Sequence, residues 1–340
     1  MNGAPNHITQ ATAPLTEDEI QTLLRAATLA PSIHNSQPWA FAVGERHVEL
    51  YVDTSRQLEA ADPSRRSMFI SCGAALFNLR VAAEHLGFHV ATHLLPDDVD
   101  DSLVAAVEFT HRDRWPGRLH VYYAAIPARR TNRHPFSDRR IPSTVLTSLV
   151  EAVRLERASV RTFDDPDEIS RVVRLLHDAE VAESTDAALA DERSSWIGTP
   201  RPDDGIPIDA LGPHPDAANA AFRDLGRSVS AHSESAEFER TPTLAVLSTT
   251  HDEVIDWVRA GQALERLLLE ATMAGVSASF LNQPLDQTDL RWLVRSFDSG
   301  AGHSQMILRL GFGKQVPATP RRPLDQVRRT ARLSSTQFDG

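Results

Sequence analysis

The chain has 340 residues, 41% hydrophobic and 24% charged, the composition of a folded globular protein with room for one large domain or two ordinary ones. Its 46 acidic against 35 basic residues leave a net charge of −11, which argues against general affinity for nucleic acid or an anionic membrane surface. A single cysteine, Cys72, excludes an internal disulfide and a multi-cysteine metal site; no apolar run reaches the roughly 18 residues of a membrane span, and no secretory signal is visible, so a cytoplasmic protein is expected.

Residues 1–14 read as a loose tail. "LTEDEIQTLLRAATLAPS" predicts a helix: Thr16 is the N-cap, acidic residues fill the first turn, and Ile20, Leu23, Leu24 and Ala27 form one face. Pro31 ends it. The next stretch, "APSIHNSQPWAF", is neither an amphipathic helix nor an alternating strand. Its short polar side chains fall between a helix and a strand, where they and their N–H groups can face a ligand. Helix termination and turn formation explain the same composition. "WAFAVGERHVELYVD" predicts a hairpin turning near Gly44-Glu45. "SMFISCGAALFNLRVAAEHLGFHV" predicts a helix closed by Gly87 and, for want of a polar face, buried on most sides. "VAAVEFT" and "RLHVYYAAI" predict short strands.

In "ARRTNRHPFSDRR", residues 128–140, Arg129, Thr131 and Arg133 alternate. Two guanidiniums and a hydroxyl on one side of an extended segment suit a phosphate, although a solvated basic linker reads the same way. The order of elements then starts again. "PSTVLTSLVEAVRLE" predicts a helix whose Leu146, Leu149, Val150 and Val153 lie 126 residues beyond Ile20, Leu23, Leu24 and Ala27. "TPTLAVLSTT" predicts a strand, "AGQALERLLLEATMAGVSASFLNQP" a second buried helix, and "HSQMILRLGFG" another strand. Gly73, Ala75, Leu76, Leu79, Ala83, Gly87 and Pro96 recur, 188 residues on, as Gly261, Ala263, Leu264, Leu267, Ala271, Gly275 and Pro284. This pattern predicts an internal duplication.

Residues about 183–240 have no counterpart in the first half. They are rich in Pro, Gly and Asp, with isolated Trp196, Ile197, Ile206, Ile208 and Leu211. A long irregular insertion in a compact protein is a lid or a linker, and the large apolar residues favour an ordered lid. Their irregular spacing predicts that they form no core of their own. In "ATPRRPLDQVRR", Arg321 and Arg322 offer further anion-binding charge. No dinucleotide fingerprint, P-loop or nucleophile elbow is present. The 14 histidines are scattered, and His85 and His89 flank Gly87 at a helix end, so no metal site is expected.

Together these stretches resemble the nitroreductase family of flavin proteins. "APSIHNSQPW" matches the family's A-P-S-x-x-N-x-Q-P-W at every specified position, and Arg129, Thr131 and Arg133 resemble its R-x-S-x-R phosphate motif. The resemblance covers most of residues 15–330. It implies an α+β nitroreductase-like fold that binds FMN. In ordinary members two chains share each site. Here the first repeat (15–127) holds the Ser/Asn segment, and the second (128–330, insertion included) holds the arginines. "ERASVRTFDD" stands where the second Ser/Asn segment would be. This layout is similar to the Acg-type proteins, and implies two tandem halves forming a monomeric pseudo-dimer with one FMN site and a lid. The resemblance assigns Pro31, Ser32, Ile33, His34, Asn35 and Gln37 to the flavin, and Asn282 and Gln283 to the segment facing its N5. It assigns Arg129, Thr131, Arg133, Arg321 and Arg322 to the phosphate, and no side chain as a catalytic residue. The function implied is an oxidoreductase taking hydride from NAD(P)H to a small nitroaromatic or quinone-like acceptor. A lid-closed protein that stores or sequesters FMN, and a degenerate fold without flavin, remain alternatives.

Overall fold

The computed structural model describes residues 13–97, 99–215, 235–294 and 302–330. Nearly all of the expected tail, and the middle of the expected insertion, lie outside the described residues. Helix α1 (Glu17–Thr28) begins as its sequence requires: the Thr16 hydroxyl accepts from Glu19 N–H, and the Glu19 carboxylate accepts from Thr16 N–H. A short 3-10 turn at Ile33–Asn35 leads to the hairpin β1 (Trp39–Val43) and β2 (His47–Val52). Helix α2 (Arg66–His85) follows, then β3 (Phe88–Leu94) and β4 (Leu103–Arg112).

"RLHVYYAAI" is not a strand. Arg118–Ala125 forms 3-10 turns instead. Its buried Leu119, Tyr122 and Ala125 recur every third residue, the 3-10 period, and join the core between α2 and a second long helix. Helix α3 (Ser143–Arg154) and β5 (Ser159–Phe163) open the second half. An insertion then carries α4 (Pro166–Thr185), α5 (Ala187–Trp196) and two two-residue strands, β6 (His214–Pro215) and β7 (Ser235–Ala236). Among the described residues, the stretch from 183 is therefore helical up to Trp196 and beyond it carries only a short 3-10 turn and the two short strands. Strand β8 (Thr243–Thr249), helix α6 (Val254–Met273), β9 (Ser277–Phe280), the short helices α7 (Gln283–Asp286) and α8 (Thr288–Val294), and β10 (His303–Gly311) complete the half. The chain ends with α9 (Leu324–Val327) and β11 (Arg328–Arg329).

Both halves run helix–strand–strand–helix–strand–strand. The sheet orders are β1-β2-β4-β3 and β5-β8-β10-β9, with every neighbouring pair antiparallel. The two halves thus share one topology. In the second sheet alternate residues face two cores. Ala245 and Leu247 meet α3 and α6, while Leu244 and Val246 meet Ile169, Val172 and Leu176 of α4.

The halves join through α2 and α6, which cross where both are glycine. A Cβ on Gly73 would stand 2.2 Å from the Val258 carbonyl oxygen, and one on Gly261 2.0 Å from that of Ile70. From β10 the chain returns to the first half. There β11 pairs in parallel with β1 (Phe41 opposite Arg328), and Leu324 and Val327 enter the first core. This arm carries residues 312–323 past the end of α1. No helix among the described residues is long and apolar enough to cross a membrane.

Candidate functional site

After α1 the backbone is contorted. His34, Asn35 and Gln37 all have positive φ (46°, 55° and 51°), a region that non-glycine residues avoid, and each such residue costs roughly 1–3 kcal/mol. Hydrogen bonds from three parts of the chain hold this conformation. Ser32 Oγ accepts from Gln37 N–H (2.9 Å), and Ser71 Oγ of α2 accepts from Ile33 N–H (3.3 Å). Asn35 Nδ2 donates to Gly205 O (2.9 Å) in the insertion and to Pro320 O (3.0 Å) in the arm, while Asn35 Oδ1 accepts from Arg321 Nη1 (3.0 Å). Asn35 is a junction of first half, insertion and arm.

Beside this segment lies a cavity lined by four arginines, Arg129, Arg130, Arg133 and Arg321, together with Thr131, Thr319, Ser32 and Asn35; among the described residues no carboxylate lines it. Thr131 bridges to Ala278 and Asn132 N–H donates to the Ala278 carbonyl (2.9 Å), which fixes the arginine segment against β9. Arg129 is 5% exposed. Its Nη2 and that of Arg321 both donate to Leu29 O (3.0 and 3.2 Å) at the end of α1. Burial, then the Arg129 charge, pushes Arg321 down to about 9, and the same two causes lower Arg130. These two guanidiniums are thus held charged against their surroundings, and an anion beside them would relieve both.

A second cavity adjoins the first, with Pro31, Ser32, Arg133, Ile206 and Phe280 in both walls. Its lining is Ile33, His34, Ile70, Leu264 and Met306 with Ser67, Ser71, Asn282 and Asp286. The pair forms one bipartite cleft, cationic at one end and largely apolar at the other, where the polar groups are the His34 imidazole, the Ser67 and Ser71 hydroxyls, the Asn282 amide and the Asp286 carboxylate, which is paired with Arg66. Both halves build it.

The insertion covers the cleft. Gly205 and Ile206 lie against the Ser/Asn segment, and Ala210 O accepts from Arg133 Nη1 (2.9 Å). Asp204 pairs with Arg56 and with Arg201, and Arg201 stacks over Trp196 (4.2 Å). Contrary to the expectation from spacing, the insertion has a small core of its own. Ile197, Ile206 and Leu211 are buried together with Trp196 and Ala210 against them, while Ile208 is exposed.

Of the residues singled out in the sequence, Pro31, Ser32, Ile33, His34, Asn35, Arg129, Thr131, Arg133, Asn282 and Arg321 line the cleft. Gln37, Gln283 and Arg322 stand behind its wall. Gln37 is fully buried, accepts from Arg322 N–H (2.9 Å) and donates to Asp203 O (2.8 Å). Arg322 donates to Gln37 O (3.1 Å) and Gln326 O (2.7 Å) and pairs with Asp53. Gln283 is buried at the start of α7. Asn282 Oδ1 accepts from Ile307 N–H (2.9 Å), so its side chain already serves β10. Sequence reading missed Arg130, Ser67, Ser71, Phe280 and Met306, whereas Ile206 is one of the apolar residues expected in the lid. The helix serines had no signal in an apolar run. Phe280, two residues before Asn282, could have been found from strand alternation.

The same cavity position on the other side of the α2–α6 crossing is differently furnished. Leu155 and Arg157 stand 126 residues beyond Leu29 and Pro31, Ile255 and Arg259 stand 188 beyond Ser67 and Ser71, and Thr92 stands 188 before Phe280; all five line a second interhalf cavity. There Glu156, at the counterpart of Ala30, is buried and takes Arg80 (2.7 Å) and Arg266 (2.8 Å). A carboxylate at this position thus already pairs with two arginines.

No family model matches the chain. It is similar to a Mycobacterium tuberculosis protein provisionally named NAD(P)H nitroreductase acg, with 30% identity over 92% of this chain and 96% of that one. A second M. tuberculosis protein, also provisionally named an NAD(P)H nitroreductase, is 31% identical over 91% of each chain. Among solved structures, the FMN-dependent nitroreductase NfnB of Mycobacterium smegmatis in complex with NADPH aligns at TM-score 0.39 and 15% identity, covering 61% of this chain and 96% of that chain.

Proposed function

The chain belongs to the Acg-type family of nitroreductase-like proteins, and from this premise we propose that it binds FMN and acts as an NAD(P)H-dependent oxidoreductase on small nitroaromatic or quinone-like acceptors. The observation that carries this reading is the bipartite cleft. FMN has a dianionic phosphate at one end and a flat, largely apolar ring with polar edges at the other, and the cleft offers the matching chemistry end to end. Arg129, Arg133 and Arg321 would hold the phosphate with charge-assisted hydrogen bonds, and Thr131 would add a hydroxyl. Ser32, Asn35 and the strained backbone between them would present polar atoms to the ribityl chain. Ile70, Leu264 and Phe280 would exclude water from the ring, and the backbone at Asn282 would lie near its edge. When bound, FMN supplies the hydride and electron transfer. No side chain is needed as nucleophile or general acid. The chain's work is to bind, orient and control access.

Access supports a second reading, sequestration of FMN. Ile206 lies in both cavity walls, and Asn35 and Gln37 are hydrogen-bonded to the lid. A lid that does not open would leave a yellow protein without turnover. Anaerobic mixing of the FMN-loaded protein with NADPH decides. Bleaching of the flavin absorbance at a rate that depends on NADPH concentration is the expected result. A yellow protein inert to NADPH and NADH would replace the reductase reading with the sequestration one.

A further inference from the structure

Helix α6 carries a carboxylate behind the arginine end of the cleft that the reading above does not use. Glu265 is fully buried where α6 packs on α2. Its Oε1 lies 3.5 Å from Arg129 Nε, yet among the described residues neither carboxylate oxygen accepts a hydrogen bond of ordinary geometry. Asn78 of α2, also fully buried, turns its amide towards the Glu265 carboxylate without a hydrogen bond of ordinary geometry, and Arg129 Nε likewise lacks one. A closed space thus holds a carboxylate, an amide and a guanidinium facing one another with few hydrogen bonds of ordinary geometry. The repeat shows that the fold does not require this: 188 residues earlier the same helical position is Phe77, packed in the apolar core.

The charges that face Glu265 are Arg129, from the segment after the 3-10 turns, and Arg321, from the C-terminal arm. The group from α2 is the neutral Asn78, and Arg130 faces the two arginines. Glu265 is the counter-ion of the two arginines that would receive a phosphate. A bound phosphate dianion would put two further negative charges beside a carboxylate sealed from water. Like charges in such a place do not both persist. We propose that Glu265 balances Arg129 and Arg321 in the free protein and takes up one proton from solvent when the FMN phosphate binds, so that cofactor affinity is set by pH. This inference rests on the FMN reading. The proton goes to a carboxylate oxygen, and the resulting O–H can donate to Asn78 Oδ1, whose amide already faces that carboxylate.

The free protein is poised for this. Burial raises the Glu265 carboxyl to about 7, with Arg129, Asn78 and Arg321 opposing the rise. Above that pH the free protein holds an ionised Glu265 that must be protonated on binding, so affinity falls as pH rises, by at most tenfold per pH unit. Below it, the phosphate's own second ionisation near pH ~6 works in the opposite direction, so the informative window lies above ~7.

The test is calorimetric titration of the full-length apoprotein with FMN near pH ~7.5–8 in two buffers of different ionisation enthalpy. The wild-type protein should take up close to one proton per FMN, and its dissociation constant should rise by about tenfold between pH ~7 and ~8.5. Glu265→Gln should take up almost none and bind FMN with an affinity flat across the window and tighter at its alkaline end. Riboflavin, which lacks the phosphate, should bind without proton uptake to either protein, separating Glu265 from His34 and Asp286 at the ring end. FMN binding by wild type without proton uptake, or the same uptake by Glu265→Gln, would overturn this inference and leave the FMN reading intact. Absence of FMN binding by wild type would overturn both. If the variant does not fold, the wild-type comparison of FMN with riboflavin decides alone.

Discussion

Two adjacent arginines of the C-terminal arm show how little of a site residue type alone reveals. Arg321 and Arg322 are indistinguishable in sequence, yet the first lines the cationic cavity and the second is turned back into the scaffold. Their substitutions should separate. Arg321→Ala removes a charged donor worth roughly 1.5–3 kcal/mol, so FMN affinity should fall at least tenfold while riboflavin affinity is unchanged. Arg322→Ala leaves the carbonyl of the buried Gln37 without this donor, at about 1–3 kcal/mol, so it should lower the melting temperature and affect riboflavin and FMN alike. Equal effects of Arg321→Ala on the two ligands would remove Arg321 from the phosphate. The Ser/Asn segment was legible because its pattern is dense and local. Arg130 and Ser71 were not, because an arginine in a basic run and a serine on an apolar helix carry no local mark of what they face.

At the scale of elements, the repeat read from offsets was informative because a buried helix crossing leaves glycine where backbones touch. Gly73 and Gly261 lie at that crossing, each nearly against the other helix's backbone. Gly261→Ala should therefore separate α2 from α6 and destabilise the protein by roughly 1–3 kcal/mol or more, visible as a lower denaturant midpoint. An unchanged midpoint would mean that the helices have room to part. The segment at 118–125 was misread because β-branched and aromatic composition suggested a strand, while burial every third residue demanded a 3-10 turn. The lid was misread because its core residues come from distant positions that only its turn brings together. Asp204 clamps it to the body. Burial would raise this carboxyl, but hydrogen bonds from Arg201 and Arg56 outweigh that and hold it below its ordinary 3.8. A depressed carboxyl contributes stability above its unfolded-state value and loses it as pH falls through the folded one, so only strong acid loosens this clamp. At neutral pH, Asp204→Asn should speed both FMN release and reduction by NADPH. Unchanged rates would show that the clamp does not limit access.

For the molecule as a whole, fusion of two like halves has consequences beyond economy of folding. Two identical chains would make two identical clefts. A duplicated chain is free to let them diverge, and the two cavities flanking the α2–α6 crossing have done so. One is lined by four arginines and, among the described residues, by no carboxylate, and the other has Glu156 bound to Arg80 and Arg266. The C-terminal arm reinforces the asymmetry, since it crosses from the second half to β1 of the first and delivers Arg321 to one side alone. The two halves and the missing second Ser/Asn segment were readable in sequence, whereas the replacement of the second socket by an ion-paired network was not. It depends on residues from α2, α3 and α6 that meet only in three dimensions. The core between α2 and α6 and the completed cleft are both internal, so the chain should be a monomer. The most direct test titrates the apoprotein with FMN, following quenching of flavin fluorescence, while light scattering reports its mass. One FMN per particle of 37.5 kDa is the expected result. Two FMN per chain, or binding only by a particle of twice that mass, would contradict a single cleft built from two halves of one chain.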